Sequence, residues 1–207
     1  MFNICLKCKK KFMDPEIIFV EDSFVIICPN CGNETEFKKH PLYLILGASG
    51  TGKSAICQKI ISRFKDYIIM DVDTFWRREF DQPETNFIDF KNYCLKIAKN
   101  LSQNGLPVLF FLQGIPEEFE NSSERKFFTT IHYLFLVCDD EELARRLRMK
   151  FPEGEFTEQR EQFEKIIHYN RKLKEIAQLS DSMLIDTSRF SLDDTIIQIY
   201  NWLKSRS

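Results

Sequence analysis

Five short apolar runs recur along the chain: residues 42–46, 67–70, 108–112, 131–137 and 182–185. Each is nearly unbroken and bounded by turn residues, the pattern of strands buried on both faces of a parallel sheet. Amphipathic stretches separate them. Ile56, Ile60 and Phe64 share one face of a helix over 55–64. Residues 84–104 carry a stripe of Phe87, Phe90, Cys94, Ile97, Ala98 and Leu101. Asp139 caps a helix over 140–149 with Leu143 and Leu147 inside, and Phe151-Pro152-Glu153-Gly154 ends it. A polar helix containing Arg160, His168 and Arg171 is predicted over about 156–178. A last one starts at the Ser191/Asp194 capping pair and buries Leu192, Ile196, Ile199 and Leu203. Strands alternating with helices predict an α/β fold with a five-stranded parallel sheet flanked by helices.

The first 39 residues read differently. Cys5-Leu6-Lys7-Cys8 and Cys28-Pro29-Asn30-Cys31-Gly32 give C-x2-C-x19-C-x2-C, a spacing that sets four thiolates around one tetrahedral Zn²⁺. Residues 17–20 and 24–27 between the pairs predict two strands joined by Glu21-Asp22-Ser23. The whole resembles a zinc ribbon. So short a segment cannot bury enough core to fold alone, and metal binding supplies the missing free energy. Pro41 holds His40 extended and opens the next strand. The predicted organisation is a zinc ribbon over 1–39 and an α/β domain over 40–207.

The strand 42–46 runs into Gly47-Ala48-Ser49-Gly50-Thr51-Gly52-Lys53-Ser54, which fits G-x-x-x-x-G-K-[ST] at every fixed position. The glycines let backbone N–H groups turn inward on a phosphate, and the following helix adds its positive N-terminal end. Lys53 supplies a point charge to the β- and γ-phosphates and Ser54 a hydroxyl to Mg²⁺. Strand 67–70 ends in Asp71-Val72-Asp73, at the carboxyl edge where ligands bind in open α/β sheets. At i and i+2 in extended chain, the two carboxylates point to one side. One of them serves the metal with Ser54 and the other the acceptor hydroxyl; Asp71, nearer the strand end, is the candidate for the metal side and Asp73 for the acceptor, and the two roles are exchangeable. Strand 108–112 ends on Gln113, where a Walker B strand would carry Asp, which leaves Mg²⁺ to Ser54 and Asp71. Arg145, Arg146, Arg148 and Lys150 cluster after the fourth strand. Glu141–Arg145 and Glu142–Arg146 are i,i+4 pairs. Arg148 has no such partner and is the arginine expected to neutralise the transferred phosphoryl group.

Composition narrows the function. Lys plus Arg is 29 against 31 Asp plus Glu, a formal net charge of −2, too little positive charge for a chain whose main ligand is a nucleic-acid backbone. Residues 1–40 hold six Lys, no Arg and six acidic residues, and a Zn²⁺ with four thiolates adds −2. A structural or protein-contact role for the ribbon is therefore favoured over nucleic acid. No apolar run reaches ~18 residues, and the N-terminus lacks a signal-peptide shape, which predicts a cytoplasmic protein without membrane contact. Four of the seven Cys have metal spacing, so Cys57, Cys94 and Cys138 read as core. The 20 Phe are scattered and read as core too.

From residue 42 to 204 the chain resembles the P-loop kinases of small molecules, among them nucleoside and nucleotide kinases, shikimate kinase and gluconate kinase. The matching motifs are Gly47–Ser54, Asp71-Val72-Asp73, the third-strand loop Gly114 to Glu117, Arg145-Arg146-Leu147-Arg148 and Asp186-Thr187-Ser188. The resemblance implies a P-loop NTPase sheet of order 2-3-1-4-5 and a lid that carries arginines, Arg145 among them. It also implies adenine held near Thr187 and Ser188. ATP, Mg²⁺ and Zn²⁺ are the expected cofactors, and a small-molecule acceptor, possible as nucleoside or nucleotide, the expected partner. The runner-up function is a nucleotide-dependent switch or nucleic-acid-associated NTPase that uses the ribbon as its contact surface.

The paired knuckles predict one tightly held Zn²⁺ per chain, measurable by metal analysis of purified protein. Zinc-free protein, or a Cys5–Cys8 disulfide in freshly reduced material, overturns this.

Overall fold

The computed structural model describes residues 4–12, 15–20, 23–85, 87–151, 156–180 and 182–206, with the backbone alone for 156–160. The Glu21-Asp22 turn, the Pro152–Gly154 break and the Arg160 side chain lie outside the described residues. By compactness the chain divides into two units: Met1–Leu42, Arg77–Val108 and Glu117–Ile131 form the first, and Tyr43–Trp76, Leu109–Pro116 and His132–Ser207 the second.

In the first unit, β1 (Glu16–Val20), β2 (Ser23–Ile27) and β3 (Glu34–Phe37) make an antiparallel three-stranded sheet of order β1-β2-β3. The third strand is an addition to the two read from the sequence; at four residues, mostly polar and followed by Lys38-Lys39, it shows little apolar periodicity. The two Cys knuckles are copies of each other. Lys9 N donates to Cys5 O and Gly32 N to Cys28 O, both at 2.9 Å, and Cys5 N and Cys28 N close the turns onto Lys10 O and Asn33 O. Gly32 has φ 65° and its counterpart Lys9 has φ 61°, so the knuckle imposes a left-handed residue after its second Cys whatever the side chain.

Also in this unit, α2 (Ile88–Ser102) starts later than its periodicity suggests, because Pro83–Thr85 is a separate 3-10 turn and Phe87 turns left-handed ahead of the helix. Its buried face is Phe90, Lys91, Cys94, Leu95, Ala98, Lys99 and Ser102. Ile97 and Leu101, expected inside, are only half-buried. Two lysines take part because carboxylates meet them: Lys91 Nζ lies 2.5 Å from Glu118 on α3 (Pro116–Glu120), and Lys99 Nζ lies 2.5 Å from Glu124 in the 3-10 turn Ser123–Phe127. Both members of the second pair are buried.

The main sheet is five-stranded and parallel. Its strands are β4 (His40–Gly47), β5 (Ile68–Asp71), β6 (Val108–Leu112), β7 (Phe128–Val137) and β8 (Met183–Asp186), in the order β5-β6-β4-β7-β8. Counted within this sheet, that is 2-3-1-4-5. In the second unit, α1 (Lys53–Ile60) and α6 (Leu192–Ser205) cover one face, where Tyr43, Ile45, Ile56, Ile60, Leu136, Ile199, Trp202 and Leu203 form a continuous core. Leu143 and Leu147 of α4 (Asp140–Lys150) pack with Cys138 against Phe163, Ile166 and Ile167 of α5 (Phe156–Leu179). Cys57, Cys94 and Cys138 are buried as expected. Among the described residues no helix is long and apolar enough to cross a membrane.

Removing one partner of a buried ion pair strands the other charge. Glu124→Ala should cost about 3–5 kcal/mol in denaturant unfolding, and Lys99→Met/Glu124→Leu should recover most of that loss. A loss below about 1 kcal/mol for the single change, the size of an exposed pair, overturns the assignment.

Candidate functional site

Every element of the site belongs to the second unit. β4 ends at Gly47 and α1 begins at Lys53, so residues 48–52 span from a central strand to a helix N-terminus. Gly50 adopts φ 88°, and a Cβ there would meet Leu143 Cδ1 at 2.9 Å; the loop needs glycine on both counts. Thr51 is fully buried and its hydroxyl donates to Ala48 O at 2.9 Å, which braces the turn. Lys53 is buried, and its ammonium donates to Gly47 O at 2.7 Å and Ala48 O at 3.3 Å. Asp73 Oδ2 lies 3.5 Å from the same nitrogen. Ser54, the next residue, is exposed in the first turn of α1.

The two carboxylates are not related as i and i+2 of an extended strand, although both act on the Lys53 ammonium. The chain leaves the extended form at Asp71 and enters a 3-10 turn over Val72–Phe75, which cancels the period of two. Asp71 Oδ1 accepts from Asp73 N at 3.3 Å, so the capping role belongs to Asp71. Asp73 is thereby turned to Lys53, and the backbone N–H of Gln113 also serves its carboxylate. Gln113 itself is exposed. The loop it begins is held by Tyr169 of α5, whose hydroxyl receives Gly114 N at 2.7 Å and donates to Gly114 O at 2.8 Å. No sequence signal marks Tyr169, since the contact joins residues 55 positions apart.

Burial governs the charges here. It pulls the Lys53 ammonium below its ordinary range, against the opposing pull of Asp73 and Asp71. It pushes the Asp73 carboxyl above its ordinary 3.8, with Lys53 holding it back. A carboxylate raised in this way binds a proton more readily than a free one.

Helix α4 brings a different arginine to the loop than spacing suggests. Arg145 is held bidentately by Glu142, at 2.6 and 2.7 Å, and Glu142 rather than Glu141 is its partner. Arg146 also takes Glu142, at 2.8 Å, and reaches further: to Gly50 O at 3.4 Å, Thr187 Oγ1 at 3.1 Å and Thr187 O at 2.9 Å. Lys150, one turn on, donates to Ser49 Oγ at 3.2 Å. Arg148 is exposed, about 200° around the helix from Arg146, and borders a depression with Ala144, Ile167 and Arg171. The structure therefore does not bring Arg148 to the loop; Arg146 and Lys150 occupy that place. Their i,i+4 spacing was the available signal. Hydrogen bonds from Arg145 and Arg146 hold the Glu142 carboxyl at about 2, so the anchor of Arg146 stays ionised through the working pH range.

After β8, Thr187 is buried and doubly tied to Val137 O, through N at 2.8 Å and Oγ1 at 3.1 Å. Ser188 Oγ donates to Asp186 and accepts from Asp139 N at 3.2 Å. Thr187 thus stands beside the loop through Arg146, and Ser188 faces the start of α4. In the first unit, the four Cys thiols gather: all four Sγ atoms lie within 4.8 Å of one another, with Cys5–Cys31 at 3.6 Å and Cys8–Cys28 at 3.8 Å. A Zn²⁺ with ~2.3 Å bonds to four sulfurs in a tetrahedron needs S···S edges of about 3.8 Å, so the donor set fits.

No family model matches the chain, and no curated protein matches it. Solved structures do. A sugar kinase from Janibacter sp. aligns over 81% of this chain and 95% of its own, at 15% identity and TM-score 0.55. A shikimate kinase from Bacteroides thetaiotaomicron covers 80% and 98%, at 16% identity and TM-score 0.54. A gluconokinase from Sinorhizobium meliloti covers 82% and 99%, at 15% identity and TM-score 0.51. With the sheet order and the glycine loop, these define the class: the chain has the fold of the P-loop small-molecule kinases, with a zinc-ribbon segment of four clustered Cys at its N-terminal end.

Charge-assisted hydrogen bonds are worth about 1.5–3 kcal/mol, so Arg146→Ala should weaken ATP·Mg²⁺ binding roughly 10–100-fold by calorimetry. Arg148→Ala should change it less than about twofold. Equal losses for the two would show that α4 turns its other face to the nucleotide in solution.

Proposed function

We propose that the protein is an ATP-dependent phosphotransferase acting on a small-molecule hydroxyl or phosphate acceptor, a nucleoside or nucleotide among the candidates. The observation that carries this reading is the buried Lys53 facing the half-buried Asp73 at the mouth of the glycine loop. Phosphoryl transfer asks a protein for position and charge rather than for covalent chemistry. Lys53 exchanges its contacts with Gly47 O and Ala48 O for the β- and γ-phosphate oxygens. Arg146 and Lys150 add positive charge on the opposite side of the loop, with Arg145 further out and Arg148 available only to a lid that moves. The N–H groups of residues 48–54 bind the phosphates, and Thr187 and Ser188 border the base. Asp73 accepts the proton of the acceptor hydroxyl, whose oxygen attacks the γ-phosphorus as the bond to the departing ADP oxygen breaks.

Mg²⁺ takes hard oxygen donors, which Ser54 Oγ and the second carboxylate oxygen of Asp71 provide. When bound, it neutralises the charge that develops on the phosphates. Zn²⁺ belongs to Cys5, Cys8, Cys28 and Cys31, where its work is structural. On this reading the domain boundary near residue 40 separates the ribbon from the catalytic segment in sequence, and the enzyme works in the cytoplasm on soluble substrates, without a membrane.

The test is nucleotide turnover with and without candidate acceptors. A correct acceptor should raise turnover by orders of magnitude, and Asp73→Asn should remove roughly 10²–10⁴-fold of it, the range of general-base catalysis. The base must be ionised to act and its pKa is raised, so kcat/KM should fall on the acid side along a limb centred above the ordinary 3.8, and the variant should lose that limb. If no acceptor yields phosphorylated product while RNA, DNA or a protein accelerates hydrolysis, the chain is a nucleotide-dependent switch instead.

A further inference from the structure

The ribbon's sheet is not closed on itself. Phe19, Phe24 and Phe37 are cross-strand partners in the registers of β1-β2 and β2-β3, and their rings follow one another at 5.0 and 5.9 Å. The row continues past the ribbon: Phe37 meets Phe127 of the 3-10 turn at 5.7 Å, and both are buried. Lys99 Nζ of α2 then stands 3.9 Å over the Phe127 ring, while its charge is taken by Glu124. Two polar bridges run alongside. Gln103, at the end of α2, receives Lys38 N at 3.2 Å and donates to Lys38 O at 2.8 Å, pairing that backbone as a strand would. Lys126 donates to Pro15 O at 2.8 Å. All of these residues belong to the first unit.

We propose that the ribbon's partner is its own chain, and that loading of the four thiolates is what keeps the end of α2 and the 123–128 turn ordered. The physical argument is one of dependence. Three strands of four or five residues bury too little to hold their register alone, so the knuckles must be pinned for Phe24 and Phe37 to line up. Phe37 packs on Phe127, and the Phe127 ring in turn lies against Lys99 of the buried Lys99–Glu124 pair. With Phe37 withdrawn, water reaches a buried ion pair whose geometry depends on exclusion of solvent, and the local unit opens at lower cost. In the chain, the segments so controlled follow directly on the two site loops: Arg77–Val108 comes after Asp73, and Glu117–Ile131 after Gln113. The ribbon thus senses metal or thiol state on behalf of those segments. The inference does not rest on the phosphotransferase reading.

Amide hydrogen exchange of the full chain, zinc-loaded and then chelated under reducing conditions, tests it without any activity. Chelation should speed exchange about tenfold or more at 16–37 and, together with it, at 95–104 and 120–128, while 192–205 in α6 stays as it was. Phe37→Ala that retains its zinc should show the same rise at 95–104 and 120–128 in the loaded protein. A chelation response confined to residues 4–37 overturns the proposal, and so does a uniform rise that includes α6. Protection at 95–104 and 120–128 that survives in zinc-loaded Phe37→Ala overturns it as well; if the variant loses its metal, the chelation arm decides.

Discussion

An ammonium group sealed inside a loop of backbone is the constraint on which the site depends. Lys53 has lost its water, and its charge is met by two carbonyls of the turn it closes and by Asp73. Removing water from a cation costs several kcal/mol, and that cost is offset only if the acceptors are already in place. The turn over 47–53 therefore has to be rigid, which explains the buried Thr51 brace and the left-handed Gly50. It also explains why Asp71 is committed to the 3-10 turn: the cap it makes is what points Asp73 at the ammonium. On the proposed function, a phosphate entering the loop would meet a cation that needs only to change partners.

The rotation of α4 follows from the same loop. Leu143 and Leu147 pack in the space that a side chain at Gly50 would occupy, and with Cys138 and α5 they set the helix's angle about its axis. Once those two leucines face inward, Arg146 and Lys150 fall beside the loop and Arg148 faces away. Asn170 reinforces the arrangement from α5, since its amide bridges both backbone groups of Cys138 and the Asp140 carboxylate. Packing of apolar side chains has here selected which of the four cations lie beside the glycine loop.

The first unit adds buried charge pairs to its apolar packing. Lys91 and Lys99 lie on the buried face of α2, where periodicity would place leucine, and each is matched to a glutamate from the segment 116–127. Such pairs add little net stability over apolar residues, but they allow a single register between the helix and the segment that crosses it. The phenylalanine row then carries that register to the ribbon.

What the sequence determined by itself was whatever depends on neighbours in the chain. The glycine loop, the caps at Asp139 and Ser191, the two Cys knuckles and the five apolar strands are all decided within a few residues, so spacing and residue type sufficed. The sheet order came from resemblance to kinases with the same motifs. Tertiary structure decided the rest. The third ribbon strand exists because β2 offers it an edge. Asp71 became the cap beneath Asp73 because a 3-10 turn replaced the extended chain on which an i,i+2 argument relies. Lys91 and Lys99 went inside because glutamates distant in sequence came to meet them. Arg146 replaced Arg148 because the angle of a helix about its axis is set by what its apolar face packs against, and a one-dimensional spacing of charges carries no record of that surface.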